Sequence, residues 1–158
     1  MDYIISNLEK LLKIPSPTGY TEKAIEFVEE RFKELGIETR RTNKGALIAS
    51  IVGKNRDKEV TLSAHVDTLG AMVKEIKGNG RLKITQLGGY VWNTVEGEHV
   101  IIETIDGKTY TGTLMTTKAS SHVHGEGTKN IERNADNMEI RIDEKVSSKD
   151  DVEKLGIN

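Results

Sequence analysis

The sequence predicts an α/β fold that is followed by a small all-β part. Two amphipathic helical patterns and then three short strands occupy residues 1–70, which is the pattern of half an α/β layer. After Gly70 the period changes, and short β runs follow one another at hairpin spacing. We therefore expect an incomplete α/β domain in residues 1–70, a small β-barrel or sandwich in residues 71–147, and a short closing helix in residues 148–158.

The first helix is predicted over residues 2–13. Its apolar residues recur at helical spacing on one face, and they are Ile4, Ile5, Leu8, Leu11 and Leu12. Pro15 and Pro17 push the residues before them out of the α region, so the helix stops there. Residues 16–19, Ser-Pro-Thr-Gly, are then expected to form a loop between two helices.

A second helix is predicted over residues 20–35. Thr18 or Thr21 can cap its N-terminus, and Gly36 supplies a stop at its C-terminus. Its many Glu and Lys residues predict a solvated face. The residues expected on its buried face are Ala24, Ile25, Val28, Phe32 and Leu35.

Three strands are expected to complete the first part. Residues 37–42 are a short polar strand, expected at a sheet edge, and residues 43–45 turn the chain into a largely buried strand over residues 46–52. After a charged loop, residues 59–65 contain the apolar run Val-Thr-Leu-Ser. This run predicts a buried strand that ends at His65.

The second part is predicted to consist of hairpins separated by glycines. Turn signals lie at residues 78–80 and 105–107, and residues 119–137 are polar enough to predict a mobile surface loop. Ser148 and Asp151 have the spacing of a capping box, which predicts the start of the last helix. The expected strands are residues 71–77, 81–86, 90–94, 99–104, 108–115 and 138–143.

Composition and charge exclude several classes of function. A net charge of −2 and a pI near 6.1 give no electrostatic case for binding nucleic acid or an anionic membrane. The sequence has no signal peptide pattern and no bilayer-spanning stretch, so a cytoplasmic protein is expected. Because the chain has no cysteine, a metal site must use histidine and carboxylate ligands, which suits zinc, cobalt or manganese.

The residues that point to chemistry are His65 and Asp67, at the end of the predicted strand. Residues i and i+2 of a strand share a face, and strand ends are where open α/β sheets bind ligands. An imidazole can bind a divalent ion through one nitrogen while a nearby carboxylate fixes its tautomer through the other. A hydrogen-bonded structural pair is the alternative reading, and it stays open from these residues alone.

The surroundings of this pair carry a resemblance to a known family. Segments along the whole chain match in order and spacing, although each is weak alone. They are Leu-Leu-Lys-Ile-Pro-Ser-Pro-Thr-Gly at 11–19, Thr-Asn-Lys-Gly-Ala-Leu at 42–47, Leu-Ser-Ala-His-Val-Asp-Thr-Leu-Gly-Ala-Met-Val at 62–73, Gly-Gly at 88–89, Val-Glu-Gly-Glu at 95–98, Asp-Gly-Lys-Thr-Tyr-Thr-Gly at 106–112 and the closing residues 148–157. Together they resemble the TET-type (tetrahedral) glutamyl-aminopeptidase/"cellulase" family of di-metal aminopeptidases.

The resemblance implies a metal-dependent aminopeptidase that acts on peptides with two divalent ions, zinc or cobalt. It implies that His65 is a ligand of one metal and that Asp67 is a catalytic residue that orients this histidine. It further implies a partial three-layer α/β metallopeptidase domain, followed by an inserted β-domain that helps to form a homo-oligomer. The family's other ligands and its general base lie in a C-terminal half, so this chain is expected to be an N-terminal fragment without a complete active site.

Other functions stay open. One certain ligand does not hold a catalytic metal, so the chain could instead be a non-catalytic, oligomerising β-domain fragment. A glycoside hydrolase is a further alternative, but the sequence has no pair of carboxylates placed as that chemistry requires. His122 and His124 could bind a metal, although a surface loop is favoured because no third ligand has a fixed spacing to them. His99 is expected to be structural, and Trp92 to be a packing or interface residue.

Overall fold

The computed structural model describes residues 1–55 and 57–158, and the chain divides into two compact units, Met1–Gly70 and Ala71–Asn158. Within the described residues the helices are α1 (Asp2–Leu12), α2 (Glu22–Glu34), α3 (Ser121–His124), α4 (Glu126–Asn130) and α5 (Lys149–Lys154). The strands are β1 (Thr39–Arg41), β2 (Leu47–Ala49), β3 (Gly70–Ile76), β4 (Leu82–Leu87), β5 (His99–Glu103), β6 (Thr109–Thr116) and β7 (Met138–Ile142). Among these helices, none has the length and apolar character that crossing a membrane requires.

The two helices predicted for the first unit are confirmed. α1 ends at Leu12, three residues before Pro15, in agreement with the effect of a proline on the residues before it. Thr21 occupies the N-cap position of α2, but its side chain makes no capping hydrogen bond. Gly36 follows the end of α2 with a φ of 71°, a left-handed conformation that favours glycine and stops the helix.

β1 and β2 form an antiparallel hairpin around the predicted turn at residues 43–45. Gly45 has a φ of 85° there, which a residue with a side chain rarely adopts. Arg41 of β1 forms ion pairs with Glu22 and Glu29 of α2. The hydrogen bond from Arg41 holds the pKa of the Glu29 carboxyl below its usual range, so these charges connect the hairpin to the helix.

The third strand predicted for this unit is wrong. Residues 59–65 have no regular secondary structure, and Val60 and Leu62 are 87% and 93% exposed. The physical reason is that a strand requires a neighbour for its backbone hydrogen bonds, and within the described residues β1 and β2 pair only with each other. The predicted end of the second strand at residue 52 is also wrong, since β2 stops at Ala49 and Ile51 is exposed.

The apolar faces of the first unit are largely uncovered. Of its described hydrophobic residues, Ala24 of α2 is the only buried one, and Leu35, predicted to be buried, is exposed. The exposed apolar residues of α1 are Tyr3, Ile4, Ile5, Leu8 and Leu12. The sequence therefore predicts the helices correctly, whereas the surfaces that should cover them are not supplied by the described residues of this unit.

The second unit contains one five-stranded sheet in the order β3-β4-β7-β6-β5. β7 lies antiparallel to both β4 and β6, so the last strand in sequence is the central strand of the sheet. The predicted turns at residues 78–80 and 105–107 are confirmed, because Gly80 and Gly107 have φ angles of 76° and 80° between the strands they connect. Closure of this sheet into a barrel or sandwich stays a prediction.

A contiguous hydrophobic core holds the second unit together. Its buried members are Ile76, Leu82, Ile84, Ile102, Leu114, Met138, Ile140, Ile142, Val152 and Ile157. The last two come from the closing segment, whose helix α5 begins with the predicted capping box between Ser148 and Asp151. The Tyr110 hydroxyl donates a 2.7 Å hydrogen bond to the Leu155 carbonyl, which fixes the end of the same segment against β6.

Two local predictions for the second unit are wrong. Residues 90–94 form no strand; Trp92–Thr94 is a short 3-10 helix, in which the Thr94 hydroxyl donates to the Val91 carbonyl. Trp92 itself packs against the core, and its ring meets Tyr90 edge-on at 5.6 Å. Residues 119–137, predicted to be a loop, contain α3 and α4, two helices of 4 and 5 residues that are too short for a periodic pattern to reveal.

Candidate metal-ligand site

The structure brings the two predicted site residues into contact. Nδ1 of His65 donates a hydrogen bond to Oδ1 of Asp67 across 2.9 Å. The His65 side chain is 81% exposed, so its second nitrogen, Nε2, faces away from the carboxylate and is open to a ligand. The contact forms although the predicted strand does not, because residues i and i+2 of a non-helical segment can still lie on one side of the backbone.

The backbone that follows this pair is fixed by the loop after α1. The Thr68 N–H donates to the Ser16 carbonyl across 2.8 Å, and the Ser16 N–H donates to Thr68 Oγ1 across 3.3 Å. Pro17 and Thr68 form an isolated parallel bridge. We call residues 16, 17, 68 and 70 the clamp, since they hold the loop and the His-x-Asp segment together.

The clamp is close-packed at Gly70. A Cβ atom added to Gly70 would lie 2.7 Å from the Cβ of Pro17, so any side chain at this position would displace the loop. Ser16 is fully buried, and its hydroxyl oxygen has no hydrogen-bond partner among the described residues. The sequence predicts a connecting turn at residues 16–19, and the family resemblance implies a loop near the substrate site. No local signal reveals the contact between Ser16 and Thr68, which are 52 positions apart.

The chemistry of His65 and Asp67 suits a divalent metal. A neutral imidazole with Nδ1–H bonded to a carboxylate offers Nε2 as a nitrogen ligand, and the carboxylate fixes the orientation of the ring. Zinc and cobalt accept such ligands. Within residues 1–55 and 57–158, however, no group of three His, Cys, Asp or Glu residues is placed to hold one ion. His65 therefore fits as one ligand of a site that requires others.

The remaining histidines lie in the second unit, apart from any such cluster. His99 begins β5 opposite Thr113 and is exposed rather than packed among apolar residues, which corrects the expectation of a structural role. His122 and His124 are exposed on the short helix α3. None of the three is joined by further metal-ligating residues in the part of the chain that the structure describes.

Comparison with known proteins gives a consistent result. The family model described as M42 glutamyl aminopeptidase matches residues 45–158. The chain is 51% identical over 150 residues to a curated Bacillus subtilis protein named "Putative aminopeptidase YhfE", a match that covers 95% of this chain and 43% of that protein. The chain thus spans less than half the length of this relative.

Solved structures share the fold. The TET aminopeptidase from a marine sediment archaeon, Thaumarchaeota archaeon SCGC AB-539-E09, matches with a TM-score of 0.85 at 21% identity, over 100% of this chain and 43% of that one. A Pyrococcus horikoshii TET1 peptidase, described as assembling into a tetrahedron or a large octahedral shell, matches with a TM-score of 0.68 at 23% identity, over 96% and 43% of the two chains. At these identities the likeness shows a common mixed α/β fold.

Proposed function

The chain belongs to the M42 glutamyl aminopeptidase family, and from that premise we propose that it forms part of a metal-dependent aminopeptidase. In this proposal His65 binds one of two divalent ions, zinc or cobalt, and Asp67 orients the His65 imidazole. The substrate is a peptide with a free N-terminus, and the reaction is hydrolysis of its first peptide bond.

The observation that supports this proposal most directly is the 2.9 Å hydrogen bond from His65 Nδ1 to Asp67 Oδ1. It holds the imidazole in the tautomer that presents the Nε2 lone pair, on a side chain that is 81% exposed. A histidine buried for a structural role needs hydrogen-bond partners for both ring nitrogens inside the fold. An exposed Nε2 with a carboxylate behind the ring is instead the usual arrangement of a metal-binding histidine.

Two divalent ions, when bound in an enzyme of this kind, activate a water molecule and polarise the scissile carbonyl. The residues of this chain have supporting roles in that chemistry. His65 supplies a nitrogen ligand, Asp67 keeps the ring in place by accepting the hydrogen bond from Nδ1–H, and the clamp fixes the backbone at Thr68. None of these residues supplies a general base, since Asp67 is occupied by its hydrogen bond to His65.

We propose that the other ligands come from residues outside this chain. A two-metal site requires several carboxylates and at least one further nitrogen ligand, and the described residues contain no cluster of three metal-ligating side chains. The chain covers 43% of its Bacillus subtilis relative, which leaves more than half of that protein to contribute them. In isolation the chain is therefore expected to be inactive, as the sequence analysis also predicts.

The first unit is then the N-terminal part of the catalytic α/β domain, and the second unit is the family's inserted β-domain. The exposed apolar face of α1 agrees with a layer that other residues cover. The Pyrococcus horikoshii TET1 peptidase, which shares the fold, can assemble into a tetrahedron or a large octahedral shell, which supports a homo-oligomer for this protein as well. A non-catalytic oligomerising fragment is the alternative, and it differs from the main proposal in one respect: His65 would bind no metal.

A chimera tests the proposal. We would replace the matching 43% of the Bacillus subtilis relative by this chain, which is 51% identical to it, and measure hydrolysis of a peptide arylamide with added zinc or cobalt. The proposal expects turnover by the chimera and none by the isolated chain. A chimera that folds and assembles like the relative but has no metal-dependent turnover would contradict it.

A further inference from the structure

The second unit contains a cavity of about 280 Å³ between the β3–β4 turn and the chain that follows β7. Its charged lining residues are Arg81, Arg141 and Glu144, and its apolar ones include Ile142 and Val146. None of these residues belongs to the clamp or to the His65–Asp67 pair. The cavity is thus a feature that the proposed aminopeptidase function does not use.

The two arginines lie next to the same pair of neighbouring residues in β4 and β7. Leu82 of β4 pairs with Ile140 of β7 in an antiparallel register. Arg81 directly precedes β4 and Arg141 follows Ile140 in β7, so an extension of this register by one residue places Arg81 opposite Arg141. Leu82 and Ile140 point into the core, so the arginines share the outer face of the sheet. Like charges at directly opposite positions destabilise a sheet unless something neutralises them.

Within the described part of the chain, no carboxylate forms an ion pair with either arginine. Among the described residues, the Arg81 guanidinium forms a hydrogen bond only with the Met115 sulfur, at 3.6 Å, and the Arg141 side chain forms no ion pair or hydrogen bond. Two neighbouring lysines do have carboxylate partners, Lys77 with Glu139 and Lys83 with Asp136. Unlike these two lysines, the two arginines have no carboxylate partner, and both of them line the cavity.

We propose that Arg81 and Arg141 form a binding site for a small oxyanion, a phosphate or a carboxylate group, that enters this cavity. Guanidinium groups bind such anions through two parallel hydrogen bonds each, and an anion between the two arginines removes their repulsion. Glu144 also lines the cavity, so the three charged side chains sum to +1. This carboxylate weakens the binding of an anion, and its removal should strengthen it.

Calorimetric titration of the 158-residue chain with inorganic phosphate and, separately, with succinate at constant ionic strength tests the proposal. Saturable binding of one anion per chain is expected. The anion with the higher affinity, phosphate or succinate, tells whether the site prefers a phosphate or a carboxylate group. Arg81→Gln and Arg141→Gln should each weaken binding by about 10-fold or more, since each removes a charged hydrogen-bond donor. Glu144→Gln should tighten binding several-fold.

Arg40→Gln is the matched control, because Arg40 is an exposed arginine of β1 that does not line the cavity. Binding of either anion must be unchanged in this variant. As a second readout, phosphate should raise the melting temperature of the wild type and of Arg40→Gln, but not of the double variant Arg81→Gln/Arg141→Gln. The absence of saturable binding to the wild type would overturn the proposal, and so would an equal loss in Arg40→Gln. A change of oligomeric state in Arg81→Gln without any anion binding would assign the pair to an interface instead.

Discussion

The backbone N–H of Ser16 donates a hydrogen bond to Oγ1 of Thr68 across 3.3 Å and joins two segments that are 52 residues apart in the chain. The return contact, from the Thr68 N–H to the Ser16 carbonyl at 2.8 Å, makes the connection reciprocal. Thr68 directly follows Asp67, so this connection determines the path of the backbone that carries the candidate metal ligand.

The first prediction compares the contribution of the Thr68 side chain to stability with that of the Ser16 hydroxyl. Thr68→Val removes the hydroxyl that accepts the Ser16 N–H hydrogen bond, and should lower the free energy of unfolding by about 1–3 kcal/mol. Ser16→Ala should be neutral or stabilising, because the Ser16 hydroxyl is buried without a hydrogen-bond partner. Urea unfolding of the first unit, followed by a probe placed there, measures both. Equal destabilisation by the two variants would show that the Ser16 hydroxyl has a partner after all.

A second prediction concerns the contact between Gly70 and Pro17. Gly70→Ala places a methyl group 2.7 Å from the Pro17 Cβ, and such overpacking should cost about 1–3 kcal/mol of stability. Gly53→Ala is the control, since the nearest atom to its new Cβ is the Asn55 carbonyl oxygen at 3.8 Å. Melting temperatures of the two variants give the comparison. Equal melting temperatures of Gly70→Ala and Gly53→Ala would contradict the close packing of Gly70 against Pro17.

The third prediction is a pH dependence of the closing helix α5. Hydrogen bonds from the Ser147 backbone and from Ser148 hold the pKa of the Asp151 carboxyl below its usual range. A lowered pKa in the folded state means that Asp151 stabilises the fold above its unfolded pKa, and that this contribution is lost as the pH falls through the folded pKa. Asp151→Asn should therefore lower the melting temperature at pH 7 and have no effect at a pH below the folded pKa.

Asp150→Asn is the control for that experiment, because Asp150 lies in the same first turn but is not part of the capping box. It should change the melting temperature less than Asp151→Asn at pH 7. If the difference in melting temperature between the wild type and Asp151→Asn stayed constant down to pH 2, the capping carboxylate could not be its cause.

A fourth prediction follows from the uncovered face of α1. The isolated chain should self-associate, because an exposed apolar stripe and unpaired strand-forming residues at 59–65 can both pair with another copy. The double variant Leu8→Gln/Leu12→Gln should shift the chain toward a monomer in size-exclusion chromatography with light scattering. Ile105→Gln, at a lone residue that is 96% exposed in a hairpin turn, should leave the association unchanged. A wild-type chain that is monomeric at all concentrations would contradict this prediction.

Local sequence signals predicted much of the fold. The apolar period of α1 and α2, the glycines at the hairpin turns and the Ser148–Asp151 spacing each act over a few residues, and each is found in the structure. The failures depend on distant partners. Residues 59–65 have the composition of a buried strand, but the described residues provide no neighbouring strand, so the composition alone could not produce one.

In the candidate site, too, local contacts could be predicted from the sequence and tertiary contacts could not. The contact between His65 and Asp67 could be predicted because it links residues two positions apart. The part played by Ser16 and Pro17 could not, since their contact with Thr68 and Gly70 is a tertiary one without a sequence pattern. The roles of His65 and Asp67 in metal binding and catalysis stay predictions that only experiment can test.

The most direct test of the central claim is the cobalt stoichiometry of the chimera described above, measured by dialysis and elemental analysis for three versions of the chain. The wild type should bind two ions per subunit, His65→Ala should bind one and lose activity, and Asp67→Asn should keep both ions while hydrolysing a peptide arylamide about 10–100-fold more slowly. If His65→Ala retained both ions and its normal rate, His65 would not be a metal ligand and the proposed function of this chain would be wrong.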